Sequence, residues 1–166
     1  MIFNHRLHSD EHYPQPADDL AAVVERVRSL DVVDPARIAL WHFSGGGPLA
    51  VDWMTRAPEW LRAIAWTCPV LAPPPDWPGD GPRFNAVTAL GAHPQLPKLL
   101  VRVGDEYEPL AQVQDTFVAA AHEAGAALDV IEIPSAAHGF ERHGHDGTAR
   151  EAVDRAMRWV VTQVER

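Results

Sequence analysis

Cysteine is almost absent from this chain: Cys68 stands alone, so an internal disulfide is excluded and a reducing, cytoplasmic setting is the expectation. Cys68 closes an apolar run and is read as a buried, inert thiol. Positive charge is scarce as well, with 14 Lys and Arg against 23 Asp and Glu and a formal net charge of −9. No basic patch offsets that balance, which excludes nucleic acid and an anionic membrane surface as partners. No apolar run approaches the roughly 20 residues that span a bilayer. The first residues, MIFNHRLHSDEHYP, lack the apolar core of a signal peptide. Gly-Lys-Ser/Thr is missing, so a phosphate-binding P-loop is excluded. Internal repeats and low-complexity tails are absent too.

What is present suits one soluble domain over residues 1–166, with 46% hydrophobic and 22% charged residues. Five short apolar runs alternate with segments of helical period. The runs begin at Ile2-Phe3 and continue with Arg37–Phe43, Leu61–Thr67, Lys98–Val103 and Leu128–Ile133. Between them, Leu20, Val23, Val24 and Val27 recur on one helical face, as do Leu110, Val113, Phe117 and Ala120. Pro16 with Asp18 and Asp19 marks a helix start. A last helix, from about Thr148 to Val164, would present Ala152, Val153, Ala156, Met157, Val160, Val161 and Val164 on its apolar face. Strand and helix in alternation predict an α/β fold, with a mostly parallel sheet of about five strands. One stretch, Cys68 to Pro97, breaks the rhythm with eight of the fifteen prolines. It is read as a lid or cap-like excursion over a ligand site, with a short helix near Phe84–Leu90.

In a parallel sheet, ligands bind beyond the carboxyl ends of the strands. Three reactive segments fall there in chain order. Ser44, in HFSGGG, follows the second run. Asp105, Glu106 and Glu108 follow the fourth, and His138, in SAAHGFE, follows the fifth. A serine hydroxyl needs an imidazole to take its proton, and the imidazole needs a carboxylate to fix its tautomer. Serine, acid, histidine is one of the chain orders in which such a set occurs.

These segments resemble the later part of an α/β-hydrolase of the dienelactone hydrolase-like and esterase group. FNHRLHSDEHYPQPADDLAAVVERVRS resembles the family's segment from its fourth strand into the next helix. DPARIALWHFSGGGPLA resembles its nucleophile elbow, LLVRVGDEYEP its acid loop and IPSAAHGFE its histidine loop. The resemblance implies a serine hydrolase of small carboxylic esters or lactones, acting through an acyl-enzyme without a cofactor. It implies Ser44 as nucleophile, His138 as base and Gly45 as one oxyanion-binding amide. A Gly-x-acid spacing favours Glu106 as the acid, with Asp105 and Glu108 as rivals.

Two departures from the family pattern stand out. The first elbow position, normally small, is His42. The family's first three strands have no counterpart, nor has the His-Gly-Gly-type loop that supplies a second oxyanion donor. Loss of one such donor lowers turnover by roughly 10²- to 10³-fold. A substitute would come from Asn4–His5–Arg6 or from another chain. The alternative function is therefore a truncated, catalytically weak hydrolase-like module for interaction or structure. Two histidine groupings, His5, His8 and His12, and His138, His143 and His145 with Asp146, lack recognised zinc spacing. They are read as polar loop residues, and no metal is expected.

A small-molecule ester or lactone is the expected partner, and a homodimer the expected assembly. The resemblance leaves one sheet face to the last helix alone and the first strand without its family neighbours, whereas a parallel sheet needs both faces covered. Light scattering at micromolar concentration checks this. Twice the chain mass is expected, and a cooperatively melting monomer would show that the helices present suffice.

Overall fold

The computed structural model describes residue 2 and residues 13–72, 81–143 and 147–166. Helix α1 (Pro14–Arg28) starts two residues before the expected Pro16, with prolines in its first turn and Arg26 and Arg28 in its last. Both features suit the helix ends, where a missing N–H costs little and cations meet the carbonyl end of the dipole. Strand β1 (Ile38–Phe43) leads into a 3₁₀ segment (Ser44–Ala50) and then helix α2 (Val51–Arg56). Strand β2 (Leu61–Thr67), helix α3 (Ala86–Ala89), strand β3 (Lys98–Asp105) and helix α4 (Glu108–Glu123) follow. Strand β4 (Leu128–Ala137), helix α5 (Phe140–His143) and helix α6 (Gly147–Glu165) complete the order.

The described strands form one sheet of four, in the order β1-β2-β3-β4, with every neighbouring pair parallel. This corrects the expected count of five. Ile2 belongs to no strand and is 97% exposed, and Phe3 lies outside the described residues.

Alternation along the strands divides the core in two, as a pleated strand buried on both faces requires. Ile64, Trp66 and Leu100 point to one face, where Leu20 and Val24 of α1, Met54 of α2, Ala86 of α3 and Phe117 of α4 meet them. Ala65, Leu99, Val101, Ile131 and Ile133 point to the other, where Phe140 and the small residues Ala149, Ala152 and Ala156 of α6 close the layer. Only α5 and α6 therefore serve the second face among the described residues. The expected apolar stripe of α6 is shifted: its buried residues are Ala149, Ala152, Ala156 and Gln163, while Met157 and Val161 are exposed. An apolar groove of about 730 Å³ runs along the outer edge of β1, between Val24 and Val27 of α1 and Ala156 and Val160 of α6.

The Pro-rich stretch is partly built into the core. Asn85 caps α3 by accepting from the N–H groups of Val87 and Thr88, and Phe84, Ala86 and Leu90 are buried against Leu71. Residues 73–80, the centre of the expected lid, lie outside the described residues.

One close approach fixes how β1 turns into its helix. A Cβ on Gly47 would stand 2.0 Å from the Val70 carbonyl oxygen, whereas one on Gly46 would meet nothing within 4 Å. Gly47→Ala is therefore expected to cost about 3 kcal/mol, a loss of roughly 6–12 °C in Tm, because backbone must move. Gly46→Ala is expected to stay within about 1 kcal/mol of the parent. Thermal melts of the two variants check this, and equal melts would remove the role given to Gly47.

Candidate functional site

The four strands end on Phe43, Thr67, Asp105 and Ala137. The residue that follows each strand is Ser44, Cys68, Glu106 and His138 in turn. Parallel pairing sends these ends to one edge of the sheet: Phe43 pairs with Thr67 and Asp105 with Ala137, while β3 continues past Val101, the partner of Thr67.

Ser44 adopts φ +46°, the left-handed region that a residue with a Cβ rarely enters. The chain holds it there from both sides. The Val70 N–H donates to the Ser44 carbonyl at 3.0 Å, and the Gly47 contact presses the same turn against Pro69 and Val70. The Tyr13 hydroxyl donates to the Gly45 carbonyl at 2.8 Å, which fixes the Gly45–Gly46 peptide. His42, expected to crowd this turn, is accommodated: it is 7% exposed and lies tilted against Trp66 with ring centroids 6.5 Å apart. The small residue that the turn demands is Gly47, on its helix side.

Ser44 Oγ lies 2.9 Å from His138 Nε2. On the other side of the ring, His138 Nδ1 lies 2.8 and 3.0 Å from the two carboxylate oxygens of Glu106. One tautomer satisfies both contacts, with Nδ1–H donating to Glu106 and Nε2 accepting from the Ser44 hydroxyl. The Glu106 side chain is 1% exposed and that of His138 35%. A buried carboxylate needs partners, and Glu106 also accepts from the Tyr107 N–H at 2.9 Å and from Gln114 Nε2 at 3.5 Å. Gln114 is itself buried and donates to the Pro69 carbonyl.

The rivals for the acid are elsewhere. Asp105 is exposed, and it meets His138 through its backbone carbonyl, which accepts the His138 N–H at 3.3 Å. Glu108 is exposed on the first turn of α4 and accepts from Gln112. Gly104 permits the acid loop to pass close to β4, since a Cβ there would stand 2.2 Å from the Pro134 carbonyl. The expected second oxyanion donors, Asn4–His5–Arg6, lie outside the described residues, as do His8, His12, His145 and Asp146.

Sequence reading missed three contributors: Tyr13, Gln114 and the position of Cys68. Tyr13 and Gln114 act across large sequence separations from ordinary helix contexts, which leave no local signal. Cys68 is buried, as expected, but it faces the site: its sulfur, a Glu106 oxygen and a His138 nitrogen lie within 4.8 Å of one another. Burial pushes its thiol up to about 12, with the Gly139 backbone opposing and the charges of Glu106 and Glu141 adding. A thiol in that state is no nucleophile at neutral pH.

No protein-family model matches the chain, and no curated protein matches it in sequence. Solved structures do match in fold. A bacterial heroin esterase superposes with a TM-score of 0.78 at 16% identity, covering 97% of this chain and 63% of its own. Esterase 2 of Thermogutta terrifontis, phosphorylated by paraoxon, gives 0.71 at 18% identity, covering 93% of this chain and 66% of its own. A candidate dienelactone hydrolase of Klebsiella pneumoniae gives 0.69 at 18% identity, covering 89% and 61%. The chain thus spans less than two thirds of each of these neighbours. Its structural neighbours are dienelactone hydrolase-like and esterase proteins, and its fold is a shortened α/β-hydrolase fold.

Proposed function

We propose that the chain is a serine hydrolase of small carboxylic esters or lactones, working through an acyl-enzyme on Ser44. The observation that carries this reading is the continuous path from Ser44 Oγ through His138 to Glu106, with contacts of 2.9 and 2.8 Å. Ser44 Oγ attacks the ester carbonyl while His138 Nε2 takes its proton. Glu106 holds the Nδ1–H tautomer and stabilises the imidazolium that forms. His138 then returns the proton to the leaving alkoxide, and a water repeats the sequence in reverse to release the acid. The Gly45 N–H, next to Ser44 on the 3₁₀ segment, is the proposed oxyanion donor. Tyr13 supports that role at a distance, since its bond to the Gly45 carbonyl fixes the residue's orientation.

Fold neighbours that are esterases support the reaction class, and one of them carries phosphorylation by paraoxon. Self-association along the β1 edge, where Phe43 and Met157 remain exposed beside the groove, is part of the same proposal.

An organophosphate probe and a nitrophenyl ester test the mechanism. The parent chain is expected to gain one phosphoryl adduct, mapped to Ser44, and Ser44→Ala is expected to lose both adduct and hydrolysis. A chain that neither labels nor hydrolyses is a hydrolase-like module instead. For the acid, Glu106→Gln is expected to lower kcat by about 10²-fold or more, because the wrong tautomer is then favoured. Asp105→Asn is expected to stay within about threefold. The reverse ranking would move the acid role to Asp105.

A further inference from the structure

Three of the four strand-end residues offer metal-ligating atoms at one point. Cys68 Sγ follows β2, a Glu106 carboxylate follows β3 and His138 follows β4, and their ligand atoms lie within 4.8 Å of one another. Tetrahedral zinc, with Zn–S about 2.3 Å and Zn–N or Zn–O about 2.0–2.2 Å, needs its ligand atoms roughly 3.3–3.6 Å apart. The cluster is therefore about 1 Å from a coordinating arrangement. Thiolate, imidazole and carboxylate together are a donor set for zinc rather than for magnesium or calcium.

These atoms are framed by a turn and by burial. Cys68 sits at φ +45°, an unusual backbone for a residue with a Cβ, and its N–H is tied to the Val101 carbonyl at 2.9 Å. That conformation belongs to the turn out of β2, directly below the histidine loop. The His138 side chain is 35% exposed, and behind it the Glu106 side chain is 1% exposed and Cys68 2%.

We propose that Cys68 Sγ, Glu106 and His138 Nδ1 form a binding site for a thiophilic divalent cation such as zinc, and that its occupation switches the hydrolase off. Binding breaks the Nδ1–H to Glu106 bond and puts the metal in the proton's place. The thiol proton passes to solvent as the metal–sulfur bond forms. The ring stays neutral by carrying its proton on Nε2, exchanged through solvent. Nε2 then donates toward Ser44 Oγ and has no lone pair to take the serine proton. Binding itself is independent of the proposed function, while the switching rests on it.

Cobalt and zinc are the probes. Cys68 is the single cysteine, so a thiolate-to-cobalt charge-transfer band in the near ultraviolet reports this site and no other histidine cluster. The parent chain is expected to develop that band on titration with Co²⁺, and Cys68→Ala and Cys68→Ser are expected to lack it. Zinc is expected to suppress nitrophenyl ester hydrolysis in the parent, with EDTA restoring it. Each variant, measured against its own metal-free rate, is expected to need at least about tenfold more zinc for the same suppression. A folded parent chain without the band overturns the site. Unchanged zinc sensitivity in both variants, or a band that appears while hydrolysis continues, overturns the switch. A band in a chain that hydrolyses no ester supports the site and counts against the hydrolase reading alone.

Discussion

Parallel pairing is the constraint from which the site follows. Four parallel strands turn their carboxyl ends to one edge of the sheet, and the residue after each strand lies at that edge. Serine, cysteine, glutamate and histidine occupy those four positions. Each comes from a different part of the chain, and Ser44 and His138 stand 94 residues apart. These contacts thus depend on register: a slip in β1–β2 or β3–β4 pairing would separate Ser44, His138 and Glu106, whose contacts are 2.8–3.0 Å. Doubly buried strands resist such slips, because every side chain of β2 past Arg62 is enclosed on one face or the other.

Holding Ser44 at φ +46° stores strain, and strain persists only where surrounding structure over-determines it. Three restraints converge there. The Val70 N–H grips the Ser44 carbonyl, Gly47 lets the turn press against Pro69 and Val70, and the Tyr13 hydroxyl holds the Gly45 carbonyl. They originate in the segment after β2, in the turn itself and at the start of α1. The Pro69–Val70 segment contributes again at Glu106, since Gln114 spans the Pro69 carbonyl and the carboxylate. One short piece of chain therefore braces both the serine turn and the acid.

The fold class was legible, and so was the grouping of Ser44, Glu106 and His138 at strand ends, because each carries a local signal. Apolar runs mark the strands, and serine among glycines, acid after Gly104 and histidine after β4 mark strand ends. Pairing partners and burial leave weaker traces. Lys98 reads as an ordinary polar start to a strand, yet it is 1% exposed, its Nζ bonded to the carbonyls of His93, Pro94 and Leu96. Met157 and Val161 read as core by period, yet α6 packs through alanines because a close helix–sheet approach favours small side chains. The run at Ile2-Phe3 was too short for periodicity to decide.

The choice between the neighbouring carboxylates turns on burial and reach. Asp105 is the last residue of β3, where pleating and its short side chain leave it exposed. Glu106 is one residue further, off the strand, with an extra methylene that carries its carboxylate beneath the imidazole. Burying a carboxylate is costly unless it is bonded, and here a backbone N–H, a glutamine amide and the imidazole N–H supply the partners. Removing the imidazole would take one of three partners from that buried group, so His138 and Glu106 are coupled in stability. The same enclosure keeps Cys68 beside the pair, its sulfur within 4.8 Å of a Glu106 oxygen and a His138 nitrogen.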